Sequence, residues 1–245
     1  MNITVAGATD IGRKRKMNQD SFRLELAHNL YVVADGMGGH AAGDMVSKIT
    51  VETISETVNS DRVSKLGTPP ADLIMGAIHR ANTAVFNTAQ NDKKLQGMGT
   101  TCVTMLFDAG KIFIGHVGDS RVYLLQAGQP GKIWQVTRDH SMVNEKLRAG
   151  LITREQMKQD KNKNVITRSV GFESSVLVDS YQRDVVSGEI YLACSDGLSG
   201  LVDDAHILAI VNEYGDLDLA AQKLIAMANE NGGDDNITVV LARVD

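Results

Sequence analysis

The sequence predicts an α+β fold: a central antiparallel β-sandwich flanked by helix pairs, four layers in the order α-β-β-α. Two observations carry this. Strand-like apolar runs arrive in groups separated by only a few residues, too few for the dozen or more that a parallel crossover needs. Helical patterns come as sequential pairs instead of alternating with strands, the order opposite to that of a doubly wound parallel sheet. Two sheets packed face to face, with a helix pair outside each, bury both surfaces of both sheets. The whole chain, residues 1–245, is expected to form one domain, since it contains neither an internal repeat nor a linker.

Taken in order, residues 3–8 form a short first strand, followed by the basic loop Arg13-Lys14-Arg15-Lys16. Residues 21–26 and 30–34 are two strands joined by a turn at His28-Asn29. Over 43–58, Met45, Val46, Ile49, Ile54 and Val58 share a helical face, against the weak helix preference of its many β-branched residues. Pro69-Pro70 opens a second helix, along which Leu73, Ile74, Ala77, Ile78, Ala81 and Val85 recur at three- and four-residue spacing. Residues 100–107, 112–117 and 121–125 are closely spaced strands, expected as successive antiparallel hairpins, and 133–136 extends the same sheet. Residues 141–164 break the pattern: polar, helical around 143–147 and 155–157, with Gly150 between. Such an insertion lies outside the main sheet, either as a mobile lid or as a solvated helical hairpin. Strands at 176–181 and 190–194, helices at 205–211 and 217–229, and a last strand at 237–244 complete the chain.

Composition narrows the function. Hydrophobic residues make up 43% of the chain and prolines number only 3, which suits a sizeable core and excludes a linker-rich protein. The net charge of −5, with signs interspersed, offers no field for nucleic acid or an anionic membrane, but is compatible with a cation site. The start, Met1-Asn2-Ile3-Thr4-Val5, lacks the pattern of a signal peptide. No apolar run approaches the ~20 residues that span a bilayer. Cys102 and Cys194 lie inside apolar runs, as buried thiols do in a reducing compartment. A soluble cytoplasmic monomer is expected.

Four stretches carry chemistry: Val32-Val33-Ala34-Asp35-Gly36-Met37-Gly38-Gly39-His40, His116-Val117-Gly118-Asp119-Ser120, Ala193-Cys194-Ser195-Asp196-Gly197 and Gly233-Asp234-Asp235-Asn236. Each sets a carboxylate beside a strand, next to small residues that allow backbone and ion to approach closely. Singly, Asp35-Gly36 and Asp196-Gly197 are also plain hairpin-turn signals. Together they are what a hard divalent cation requires, because Mg²⁺ and Mn²⁺ take carboxylates, carbonyls and water. A few aspartates can hold two such ions about 3.5–4 Å apart and acidify a shared water. The Gly36 carbonyl can join them because no side chain obstructs it.

Six motifs then fall in a familiar order: Arg15-Lys16-Met17-Asn18-Gln19-Asp20, Val33 through His40, Gly99-Thr100-Thr101, His116 through Arg121, Cys194-Ser195-Asp196-Gly197-Leu198 and Asp235-Asn236-Ile237-Thr238. In this the chain resembles the bacterial metal-dependent protein phosphatases of the protein phosphatase 2C (PPM) family, over essentially its whole length. The resemblance implies the sandwich already expected. It also implies Asp35, the Gly36 carbonyl, Asp196 and Asp235 as ligands of a binuclear Mn²⁺ or Mg²⁺ centre, with Asp35 bridging. Asp119 takes the position of the carboxylate that helps hold a weaker third ion. Asp20 is implied as a catalytic carboxylate holding metal-bound water, Asn236 as support for Asp235, and Arg15 as the phosphate-binding residue. Arg13, in the same loop, does not match a motif position.

The activity implied is hydrolysis of phosphoserine or phosphothreonine by direct attack of a metal-activated water, reversing a bacterial-type protein kinase. No phosphoenzyme is required, so neither cysteine need act as a nucleophile. Many eukaryotic members place histidine directly after the metal-binding Asp-Gly. Here Met37 stands there, and the proton for the leaving alkoxide is open between His40 and a water, with a structural role equally open to His40. Residues 141–164 match the family's flap, and Arg168 beyond it either contacts substrate or packs the flap base. Two other readings are a non-catalytic phosphoprotein-binding module of the same fold and a phosphatase dedicated to one regulatory partner.

Overall fold

The computed structural model describes residues 1–38, 42–91, 95, 97–128, 130–157, 159–162 and 164–245. Its strands are β1 (Ile3–Asp10), β2 (Asp20–Glu25), β3 (Leu30–Met37), β4 (Gly99–Thr100), β5 (Cys102–Asp108), β6 (Lys111–Val117), β7 (Arg121–Gln126), β8 (Lys132–Gln135), β9 (Asp179–Asp184), β10 (Glu189–Cys194) and β11 (Ile237–Val244). Its helices are α1 (Ala42–Ser64), α2 (Pro70–Asn91), α3 (Met142–Arg148), α4 (Arg154–Met157), α5 (Asp196–Ser199), α6 (Asp204–Glu213) and α7 (Leu217–Glu230). One sheet runs β1-β11-β10-β7-β8, the other β2-β3-β5-β6-β9 with β4 continuing alongside β3. All these pairings are antiparallel.

Side-chain alternation along the strands builds three apolar layers. In β3, Leu30, Val32 and Ala34 face α1 and α2, whereas Tyr31 and Val33 face the opposite sheet. In β11, Ile237, Val239 and Leu241 face α5–α7, whereas Val240, Ala242 and Val244 enter the space between sheets. A strand covered on both faces needs apolar residues at every position. This is why these segments read as continuous apolar runs. The helices present single stripes, and α6 and α7 begin at Asp203 and Asp216, whose carboxylates accept from the backbone N–H groups of His206 and Leu219. Among the described residues, no helix is long and apolar enough to cross a membrane.

Two expectations are corrected. The strands at 112–117 and 121–125 do not form a hairpin: β6 belongs to one sheet and β7 to the other. Gly118, at φ +105°, redirects the chain across the sandwich, a conformation that side chains disfavour. The strand expected at 176–181 lies instead at Asp179–Asp184. Its pairing with β6 begins at His116↔Asp179, so 176–178 has no strand beside it, and Val176 and Val178 pack under α1 and α2 instead. Cys102 and Cys194 are free and fully buried, and burial pushes each thiol up to about 12.

Candidate metal centre

The candidate centre lies where the inter-sheet core ends. Asp35 follows Tyr31 and Val33 on the inward face of β3, and Asp20 shares the equivalent face of β2 with Phe22 and Leu24. The register sets Asp20 directly opposite Asp35. Asp20 also bridges the two sheets, since its Oδ2 accepts from the hydroxyls of Ser195 and Thr238, each at 2.7 Å. Those hydroxyls come from the end of β10 and from β11 in the other sheet. Its second oxygen, Oδ1, is buried with no protein partner.

The Gly99-Thr100-Thr101 motif holds the Asp35 peptide. The Asp35 N–H donates to Thr101 Oγ1 (2.9 Å), and its carbonyl accepts from the Thr101 N–H (2.9 Å) and the Thr100 hydroxyl (2.8 Å). The Thr101 and Ser120 hydroxyls share a 2.7 Å hydrogen bond, which ties this peptide to the loop bearing Asp119. Gly36 is demanded by the first turn of α1: a Cβ there would lie 2.0 Å from the Gly43 carbonyl oxygen and 2.7 Å from that of Gln19. Both obstacles are backbone and cannot rotate away. Gly36→Ala is therefore expected to destabilise the fold by about 3 kcal/mol or more, at the upper end of overpacking costs, as denaturant unfolding would measure.

Asp119 follows Gly118, whose N–H donates to His140 Nδ1 (3.0 Å) while its carbonyl accepts from the His140 N–H (2.8 Å). With Nδ1 accepting, the His140 proton sits on Nε2, facing Asp179 Oδ2 at 3.2 Å. On the far side, Arg121 grips Asp139 through both carboxylate oxygens. Asp196 opens the single turn α5. The next residue, Gly197, lies so close to the Asp235-Asn236 turn that a Cβ would meet the Asn236 carbonyl oxygen at 1.9 Å. Asn236 does more than support Asp235: its Oδ1 accepts from the Gln19 N–H, and its Nδ2 donates to the carbonyls of Ile11 and Met17. It thereby holds the basic loop whose Arg15 donates to Asp235 Oδ2 at 2.5 Å.

Asp20, Asp35, Asp119, Asp196 and Asp235 thus converge from separate segments and act electrostatically on one another. Burial is the largest cause, followed chiefly by the neighbouring carboxylates, and together they push Asp20 and Asp119 up to about 7, Asp35 well above the usual carboxylate range, and Asp196 upward. The two hydroxyls on Asp20 act in the opposite direction. Among the described residues, no three His, Cys, Asp or Glu side chains are placed so that together they could hold one metal ion. An open carboxylate cluster nonetheless suits Mg²⁺ or Mn²⁺, which complete their shells with carbonyls and water. The buried Oδ1 atoms of Asp20 and Asp196, both without a partner, fit such ions or their waters.

The structure therefore brings together the carboxylates singled out from sequence, with Gly36 beside them and Arg15 at their edge. His40 lies outside the described residues. Arg168 pairs with Asp179 at 2.7 Å, at the base of the 141–164 segment. Sequence reasoning assigned no role to Ser195, Thr238, Thr101 or Ser120, although all four lie within the quoted motifs. The available signal was parity: Ser195 and Thr238 fall on the same faces as the inward residues of β10 and β11.

An α-β-β-α sandwich with an aspartate cluster at the open end of its inner layer defines the class of divalent-metal phosphatases. Residues 8–231 match the family model described as Protein phosphatase 2C, and the chain belongs to that family. It is 36% identical to the serine/threonine phosphatase Stp of Listeria innocua, over 95% of this chain and 92% of that protein. The crystal structure of the Mycobacterium tuberculosis serine/threonine phosphatase PstP/Ppp superimposes with a TM-score of 0.90 at 32% identity, covering 99% of each chain. A structure of the PstP catalytic domain in complex with two manganese ions gives 0.86 at 32% identity, again covering 99% of each chain.

Proposed function

We infer that the protein is a metal-dependent protein serine/threonine phosphatase that hydrolyses phosphoserine and phosphothreonine in protein substrates. The observation that carries this is the cluster of aspartates, crowded enough to raise one another's proton affinity and left with unpartnered oxygens. Bound Mn²⁺ or Mg²⁺ would supply positive charge and a water acidified enough to attack phosphorus. Asp35, the Gly36 carbonyl, Asp196 and Asp235 are the residues assigned to two such ions, and Asp119 to a weaker third.

The chain's own groups do the rest. Asp20, held by Ser195 and Thr238, keeps Oδ1 open beside Asp35 and is suited to accept a proton or orient a water there. Arg15 grips phosphate oxygens through its guanidinium fork, which lysine cannot reproduce. Its pairing with Asp235 holds that fork at the cluster before substrate arrives. Arg15→Ala is expected to raise KM for a phosphothreonine peptide about tenfold or more, with Arg15→Lys recovering only part, while Mn²⁺ affinity measured by calorimetry stays within severalfold.

The full assignment is a single phosphatase domain over 1–245 with a flap at 141–164, a cytoplasmic monomer acting on substrates of a bacterial-type serine/threonine kinase. The test is Mn²⁺- or Mg²⁺-dependent phosphate release from a small aryl phosphate and a phosphothreonine peptide. Full activity in excess chelator would overturn the reading. Phosphopeptide binding without turnover in excess Mn²⁺ would favour the binding-module alternative.

A further inference from the structure

Beside the aspartate cluster lies a groove of about 380 Å³, large enough for more than a phosphate group. Met37 forms one wall. Two residues of extended chain span at most about 7 Å, so this wall adjoins Asp35. Ile166, Phe172, Val176 and Leu177 supply the rest of its apolar surface, among polar residues that include Arg168 and Glu173. Phe172 is 59% exposed and Leu177 67% exposed. Large apolar side chains left open together around one concavity mark a contact surface.

The loop that carries Phe172 is nevertheless held firmly. Asn82 of α2, 1% exposed, accepts from the Gly171 N–H at 2.7 Å and donates to the Glu173 carbonyl at 3.0 Å. Just before it, Val170 and Thr100 exchange two backbone hydrogen bonds, of 3.0 and 2.8 Å. Gly171 itself sits at φ +87°, and a Cβ there would meet Val85 Cγ1 at 1.9 Å. A buried amide committed to fixing an exposed apolar loop pre-organises a surface, which lowers the entropy lost when a ligand docks. At the rim, Arg168 is committed to Asp179, whereas Glu173 has no ion-pair partner among the described residues.

We propose that this groove seats the segment of a phosphoprotein substrate adjoining the phosphorylated residue, accepting a large apolar side chain there, while Glu173 disfavours an acidic one. The inference rests on the phosphatase reading above and names the substrate class of that same site. The occupant follows from continuity: Met37, which lines the groove, stands two residues after Asp35 on β3, so a chain whose phosphate lies at the aspartates has the groove beside it.

The test is steady-state kinetics on phosphothreonine peptides that carry Leu, Gly or Asp in turn at each of the two positions on either side. A small aryl phosphate, which has no flanking residues, serves as control. At one flanking position the Leu peptide should exceed the Gly peptide about tenfold in kcat/KM, and the Asp peptide should fall below both. Phe172→Ser combined with Leu177→Ser should abolish the Leu preference and leave aryl phosphate hydrolysis unchanged. Glu173→Gln should relieve the penalty on Asp. Equal kcat/KM for Leu and Gly peptides at every position overturns the proposal, as does a Leu preference that survives the double substitution or a parallel fall on the aryl phosphate. Absence of Mn²⁺-dependent aryl phosphate hydrolysis by the unsubstituted protein would instead overturn the phosphatase reading. Fluorescence anisotropy of the Leu and Gly peptides would then still test the groove, equal affinities counting against it.

Discussion

Asp196→Ala is expected to lower kcat/KM on a small aryl phosphate by at least about a thousandfold, beyond the 10–100-fold typical of losing a group outside the ligand set, and at the same time to leave the metal-free protein as stable or more so. Both effects come from one carboxylate. Its Oδ1 is buried with no protein partner, and burial and then Asp235 act against its charge. In a metal-free protein, removing it relieves enclosed like-charge repulsion. A gain of about 1 kcal/mol would raise Tm by about 2–4 °C in a chain of this size. The protection that Mn²⁺ confers should shrink in parallel, because a ligand stabilises only as far as it binds the folded state. Asp196→Asn, which keeps the shape and removes the charge, should behave similarly in thermal melts with and without chelator. A chelated alanine variant that melts far below the unsubstituted protein would show that Asp196 serves the fold and not a cation.

The chelated protein should lose stability as pH rises from about 4 to about 7. Asp20 and Asp119 are pushed up to about 7, and Asp35 higher, mainly by burial and then by neighbouring carboxylates or, for Asp20, after the opposing pull of its hydroxyl partners. Each folded-state value exceeds the value near 4 of an unfolded chain, so over this interval the folded state retains protons that the unfolded state has released. Stability then falls with pH. A single group moved from 3.8 to about 7 corresponds to on the order of 4 kcal/mol, and the mutual coupling of the aspartates makes their joint effect less than a sum. Carboxylates held low by cationic or hydrogen-bonding partners, such as Asp179, reverse this slope only below about pH 4. Millimolar Mn²⁺ should turn the trend around near neutrality, because binding releases the retained protons. Denaturant titrations at pH 5 and pH 7.5, each with and without chelator, read the effect. A chelated protein more stable at pH 7.5 than at pH 5 would contradict the carboxylate crowding.

Most of the site was visible in the residues because its chemistry is local. Asp35-Gly36 and Asp196-Gly197 each combine a carboxylate with a glycine whose missing side chain lets another segment close in. The supporting hydroxyls were harder to read. Ser195, Thr238, Thr101 and Ser120 are ordinary strand and loop residues until a second sheet is placed against them. Asn236 looked like a companion of Asp235, and its N–H does donate to Asp235 Oδ1, but its side chain makes three further hydrogen bonds to the loop that carries Arg15. The groove beside Met37 had no sequence signal, since its walls come from β3 and from the loop after Ile166, far apart along the chain.

Side-chain pattern and backbone preference act within a few residues, and they were enough to indicate strand and helix order and the layered α+β class, and to single out the candidate carboxylates. They could not establish which sheet each strand joins. β6 and β7 are a few residues apart and looked like a hairpin, but Gly118 sends them to opposite sides of the sandwich. That crossing carries Asp119 to the edge where Asp20 and Asp35 already face each other. Whether the aspartates meet is a matter of register and of the packing between sheets, both set by contacts distant in sequence. Tertiary structure alone made one carboxylate cluster out of four separate Asp-bearing segments and the aspartate at the start of β2.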